Sequence, residues 1–190
     1  MLANHTREIG CESQIIDEDG EIAVKGPAVF DGYDDEDLTR AAFTGEWFRT
    51  GDLGRFDEDG YLIINGRSKN LLISSYGRNI SPEWVESELM ADPALADCVV
   101  FGDARPYCVA LVSPRDPATS DASIQRVIDD SNARLPDYAR VRQWHRLEQP
   151  LLLTGGLLTE NGRPRRAAIL AHFNAAIESL YATPATARIA

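Results

Sequence analysis

Hydrophobic and polar positions alternate in several short runs and switch to a helical period in three places. In Glu21-Ile-Ala-Val-Lys25, Ile22 and Val24 face one side between polar neighbours, the pattern of a half-buried strand, and Gly26-Pro27 closes it. Ahead of it, Met1 to Asp19 shows no clear period, and Asp17-Glu-Asp-Gly20 reads as a turn. Asp37 to Phe43 is a short helical candidate behind the acidic run Asp34 to Asp37. The runs Asp52 to Phe56 and Tyr61 to Asn65 flank Asp57-Glu-Asp-Gly60, which supplies turn formers and a closing glycine. This predicts a hairpin that holds Asp52 near Arg67 at its open end.

The second half mixes both periods. Asn70 to Ser74 reads as a short strand and Ser75-Tyr-Gly-Arg78 as a turn, after which Ser81 caps a helix and Pro82 fills its first position. Trp84, Val85, Leu89 and Met90 mark its buried side up to Asp92-Pro93. Leu95 to Gly102 and Tyr107 to Ser113 are apolar, β-branched runs around Asp103-Ala-Arg-Pro106, which predicts an antiparallel pair. Ile124, Val127 and Ile128 define a helix opened by the loop from Pro117 to Asp121 and ended near Leu135-Pro136. Tyr138 to Leu147 is an arginine-rich strand candidate. Ala168, Ile169, Phe173, Ile177 and Leu180 predict one amphipathic helix from Arg165 to Tyr181, with a frayed tail from 182 to 190. The fold class expected is α+β: a small β-rich part over 1–66, then a compact α+β part over 67–190.

Composition narrows the classes. The 190 residues are 44 % hydrophobic and 26 % charged, which is globular, and the formal net charge of −11 argues against a nucleic-acid partner. No apolar run approaches the roughly 20 residues of a transmembrane helix, and Met1 to Gly10 lacks the core of a signal peptide, so a cytoplasmic location is expected. Cys11, Cys98 and Cys108 are odd in number and have no C-x-x-C spacing, so neither a disulfide framework nor a metal site is expected. Cys98 and Cys108, in apolar runs, read as core. Lys25 and Lys69 are the only lysines among 19 basic residues, the rest being arginine.

At the hairpin's open end, the Asp52 carboxylate can accept hydrogen bonds from a vicinal diol, and the Arg67 fork suits sugar or phosphate oxygens. Arg140, Arg142 and Arg146 read either as a basic edge or as ordinary surface charge. His145 has no ligand-spaced neighbour and reads as structural or surface. The acidic run at 34–37 reads as a solvated face.

The order Thr50-Gly-Asp52, Asp59-Gly-Tyr61, Gly66-Arg-Ser-Lys69, Gly77-Arg-Asn-Ile-Ser-Pro-Glu83 with Val85-Glu86, and Gly156-Leu-Leu-Thr-Glu-Asn-Gly-Arg-Pro-Arg-Arg166 resembles the AMP-forming acyl-CoA synthetases of the adenylate-forming superfamily. The Gly-Leu-Leu-Thr opening is most similar to the long-chain fatty-acyl branch. The resemblance implies the end of a large AMP-binding domain followed by a C-terminal lid. It implies nucleotide-sugar contacts for Asp52 and Arg67, a hinge at Lys69, and a CoA-tunnel loop at Gly77. For Arg140, Arg142 and Arg146 it implies contact with CoA phosphates as the functional reading.

The last motif departs from the resemblance. Its catalytic lysine position is occupied by Arg163, with Arg166 matching the arginine three residues on, and no lysine follows Lys69 to take over. Arginine keeps the charge but replaces a compact ammonium with a planar fork. The phosphate loop, the adenine-contacting motif and the acyl pocket of such enzymes do not occur in this sequence. The expectation is therefore a C-terminal portion that is inactive alone, with ATP/AMP, CoA and Mg2+ as ligands of the full-length enzyme and none tightly bound to this chain. The expected partners are an N-terminal domain and a fatty or other carboxylic acid substrate, with a homodimer through surface left exposed. The alternative is a free-standing, non-catalytic module that binds CoA, a nucleotide or a partner.

Overall fold

The computed structural model describes residues 5–7, 11–15, 20–151 and 155–182, with side chains described for 20–151 and 155–182. It separates into two compact units, 1–71 and 72–190.

In the first unit an antiparallel sheet is assembled from β1 (His5–Arg7), β2 (Cys11–Ile15), β3 (Glu21–Lys25), β4 (Phe43–Thr44), β5 (Trp47–Phe56) and β6 (Leu62–Arg67), with helix α1 (Glu36–Ala42) before β4. The strand order is β1-β2-β3-β5-β4, and β6 also pairs with the long β5. The β1–β2 hairpin lies where the sequence shows no period. Its residues take strand form by pairing onto β3, Ser13 opposite Val24 and Ile15 opposite Ile22, so tertiary pairing overrides a weak local pattern. Asp35 caps α1 by accepting from the Asp37 and Leu38 amides at 2.8 and 3.2 Å. The β5–β6 hairpin forms as expected, with Asp52 opposite Arg67. The unit buries Ile22, Ala23 and Leu53 fully, and Phe30 meets Phe43 and Phe48 edge-to-face at 5.8 and 5.2 Å.

In the second unit a helix pair covers each face of a small sheet. A two-stranded ribbon of β7 (Leu72–Ile73) and β8 (Asn79–Ile80) leads into α2 (Pro82–Met90), β9 (Leu95–Phe101) and β10 (Cys108–Pro114). Helix α3 (Asp121–Arg134), one 3-10 turn at Asp137–Ala139 and β11 (Val141–Arg146) follow. The sheet order is β11-β10-β9: β9 and β10 are antiparallel, and β11 returns parallel to β10 through α3. Cys98, Val100, Ala110 and Val112 point to one cluster with Val85, Leu89, Ile124 and Ile128. Val99, Phe101, Val109 and Leu111 point to the other, with Ile169, Ile177 and Leu180. Burial on both faces is why β9 and β10 read as continuous apolar runs rather than alternating ones.

The expected single helix from Arg165 to Tyr181 is instead two, α4 (Arg166–His172) and α5 (Asn174–Ala182). Phe173 leaves helical geometry at φ −103°, ψ 19°, next to Asn174, a residue that favours helix ends. Its amide still donates to Ile169 O at 2.9 Å and its carbonyl accepts from Ile177 at 2.9 Å, so the amphipathic phase survives. The strand expected at Asn70–Ser74 shortens to β7 behind one 3-10 turn at Ser68–Asn70. The frayed tail expected beyond Ala182 lies outside the described residues.

Candidate functional site

The Asp52–Arg67 pair in the first unit is built by hairpin register. Arg67 Nε lies 2.6 Å from Asp52 Oδ1, which leaves the second Asp52 oxygen and the two Arg67 Nη groups without partners among the described residues. The Asp52 carboxylate and Arg67 guanidinium are both partly exposed, so a ligand can reach them. Thr50 Oγ donates to Ile22 O at 2.7 Å and accepts the Asp52 amide at 3.0 Å, which ties the turn to β3. Gly51 sits at φ 70°, a conformation that favours glycine.

Glu21 is the residue here that sequence reasoning missed. It is only 5 % exposed, its Oε1 accepts the Gly51 amide at 3.1 Å, and its Oε2 accepts Arg49 Nε at 3.0 Å. A buried carboxylate thus pins the Thr50-Gly-Asp52 turn from beneath. Its alternation in β3 gave no sign of this, because the partners lie some thirty residues away. Beside the turn lies a cleft of about 340 Å³ lined by Glu21, Tyr33, Arg49, Gly51, Arg67 and Lys69. Lys69, in the 3-10 turn, is exposed, and its ammonium has no partner among the described residues.

In the second unit Gly77 closes the β7–β8 ribbon at φ 72°, and a Cβ there would meet nothing within 4 Å, so conformation rather than space demands glycine. Ser74 braces the turn by donating its amide to Arg78 O at 3.0 Å and accepting the Arg78 amide on Oγ at 3.1 Å. The β9–β10 turn backs it: the Ser75 amide donates to Arg105 O at 2.9 Å and Ala104 to Ile73 O at 2.8 Å. Tyr76 at the tip is 77 % exposed.

Arg163 sits on its own tight hairpin. Leu158 bridges Pro164, the Thr159 amide donates to Arg163 O at 2.8 Å, and Thr159 Oγ accepts the Arg163 amide at 3.0 Å. The Arg163 side chain is exposed, with no partner for its guanidinium among the described residues. Arg166, three residues on, is spent differently: its Nη2 donates to both Glu86 oxygens at 2.8 and 2.7 Å, and its Nη1 to Val100 O at 2.9 Å. Burial pushes the Glu86 carboxyl up to about 7, against the opposing pull of Arg166 and of the Val100 amide.

The three arginines of β11 and its approach are also engaged. Arg140 donates to Asn132 O and Leu135 O, Arg142 to Asp137 at 2.6 Å, and Arg146 to Thr119 O, Pro117 O and Asp121. These contacts favour the surface-charge reading over a basic edge. Cys98 and Cys108 are buried free thiols, and burial pushes Cys108 up to about 12. Among the described residues no group of His, Cys, Asp and Glu is arranged to hold a metal ion, and no helix is long and apolar enough to cross a membrane.

Along the chain a cross-strand carboxylate–guanidinium pair is followed by a 3-10 turn and then by an α+β unit that carries a glycine turn and an arginine hairpin. Residues 69–185 match the family described as the AMP-binding enzyme C-terminal domain, and the chain belongs to that family. It is similar to the long-chain-fatty-acid–CoA ligase FadD15 of Mycobacterium tuberculosis, 33 % identical over 190 aligned residues that cover 87 % of this chain and 32 % of the relative. A 2-succinylbenzoate–CoA ligase of Bacillus velezensis is 48 % identical over 90 residues, 47 % of this chain and 18 % of that protein. Among solved structures, the o-succinylbenzoate CoA synthetase MenE of Bacillus subtilis, in complex with the acyl-adenylate intermediate OSB-AMP, superposes with a TM-score of 0.67 at 28 % identity, over 85 % of this chain and 34 % of that one. The chain therefore spans about a third or less of the length of these relatives.

Proposed function

We propose that this chain serves as the hinge and lid of a longer AMP-forming acyl-CoA synthetase that activates a carboxylic acid, of the fatty-acid class, with ATP and passes it to CoA. The observation that carries the reading is the Asp52–Arg67 pair, held in cross-strand register with hydrogen-bonding capacity to spare. Vicinal sugar hydroxyls would donate to the free Asp52 oxygen, while the Arg67 Nη groups would donate to sugar or phosphate oxygens.

In the first half-reaction a carboxylate oxygen attacks the ATP α-phosphorus and pyrophosphate leaves. Negative charge gathers between the two reactants, and Arg163 is the cation assigned to neutralise it, in the place of the family lysine. In the second, the CoA thiolate attacks the acyl carbon and AMP leaves, with the exposed Gly77 turn assigned to line the thiol's approach. Rotation about Lys69 exchanges the two faces of the lid.

The test separates the half-reactions in the longer enzyme. Arg163→Ala is expected to slow pyrophosphate release about a hundredfold while sparing thioester formation from preformed acyl-adenylate. A Gly77 substitution is expected to do the reverse. Unchanged pyrophosphate release in Arg163→Ala overturns the assignment. The isolated chain is expected to release no pyrophosphate from ATP with any fatty acid.

A further inference from the structure

The Arg163 hairpin runs directly into α4, and α4 begins without a side-chain cap, its N-cap position being Arg165. Three cations, Arg163, Arg165 and Arg166, crowd the positive end of this helix, an arrangement the helix dipole opposes. Among the described residues only Arg166 of the three is matched by carboxylates, chelated by Glu86 and 3.8 Å from Glu83 Oε1. Glu86 in turn is locked from the far side, because its Oε1 accepts the Val100 amide at 2.7 Å while Arg166 donates to the Val100 carbonyl. One buried carboxylate on α2 thereby joins the first residue of α4 to the C-terminal end of β9.

We propose that Glu86 is a positioning residue for the arginine hairpin: through Arg166 it fixes the start of α4, and so the direction in which Arg163 is presented. The hairpin's own hydrogen bonds, Thr159 to Arg163 and Arg165 to Leu157, set its shape. What anchors its outgoing end is the guanidinium three residues beyond Arg163. Lysine at 166 would not substitute, since one ammonium lacks the planar fork that meets two carboxylate oxygens and a carbonyl together. The catalytic importance of the latch rests on the lid reading above, whereas the latch itself is a property of this chain.

The measurement is backbone 15N relaxation at about pH 8, above the range in which Glu86 takes up its proton, on the chain as it stands and on Glu86→Gln and Arg166→Gln. In the unaltered chain the amides of Thr159, Gly162 and Arg163 are expected to be as ordered as those of Val99 and Leu111, with order parameters near about 0.85. In both variants the hairpin amides are expected to fall below about 0.6 while the sheet stays rigid. A part that is structural alone would lower the urea midpoint and leave native-state order unchanged, which overturns the proposal. So does a hairpin already mobile in the unaltered chain. Arg166→Gln guards against misfolding, because the carboxyl left behind can take a proton. Failure of both variants to fold marks the pair as structural only and likewise overturns the proposal. Pyrophosphate release by Arg163→Ala tests the lid reading separately, so either idea can fall without the other.

Discussion

At the scale of single residues, Glu86 makes stability depend on pH. Its carboxyl titrates near 7 in the folded chain against an ordinary 4.5, so between those values the folded state holds a proton that the unfolded state has lost. Stability is therefore expected to fall as pH rises through that window, by at most about 1.4 kcal/mol per pH unit. Urea unfolding from pH 5 to 8 measures it, and Glu86→Gln is expected to flatten the slope. A second prediction concerns Glu21: Glu21→Gln leaves Arg49 with a neutral acceptor and weakens the hold on Gly51, costing roughly 1–3 kcal/mol in the first unit. The two carboxylates also show what a sequence hides. Asp52 and Arg67 were legible because one hairpin turn sets their register. Glu86 meets Arg166 across eighty residues, so although Val85-Glu86 stood out as part of a motif, its partner was not legible, and Glu83 and Glu88 of the same helix stay partly exposed.

At the scale of elements, legibility followed how local the cause was. The cap at Ser81 was readable, and it accepts the Trp84 amide at 3.4 Å, whereas the cap at Ser120, which accepts the Ser123 amide at 3.2 Å, lay unmarked in the loop read as opening its helix. The β9 and β10 runs were readable as strands because burial on both faces makes them apolar at all positions but Asp97 and Ser113. The β1–β2 hairpin was not, since its form depends on β3 as a template. The β9–β10 turn shows a further coupling between elements: Arg105 stacks over Tyr181 at 4.7 Å and pairs with Glu178 on α5, while its carbonyl holds Ser75 beside the Gly77 turn. Arg105→Ala is expected to cost about 1 kcal/mol, these contacts being partly exposed. Amide exchange should show faster opening across residues 174–182. The backbone bond to Ser75 needs no side chain and should persist.

At the scale of the whole molecule, the division into 1–71 and 72–190 puts every member of both large apolar clusters in the second unit. That unit has the size, about 120 residues, at which a single core becomes self-supporting. Among the described residues of the first unit, Ile22, Ala23 and Leu53 are the apolar side chains buried completely. Lys69 is exposed beside the division and offers trypsin a cut between the two. Brief digestion is expected to release a product beginning at Asn70 that still unfolds in one cooperative urea transition. Leu111→Ala within that product is expected to cost about 2–5 kcal/mol, because Leu111 is fully buried on the α4 and α5 side of the sheet. A product that unfolds on cleavage would show instead that the second unit draws its stability from residues before Asn70. The second unit would then be inseparable from the residues that precede it, and the proposed hinge at Lys69 would lose its physical basis.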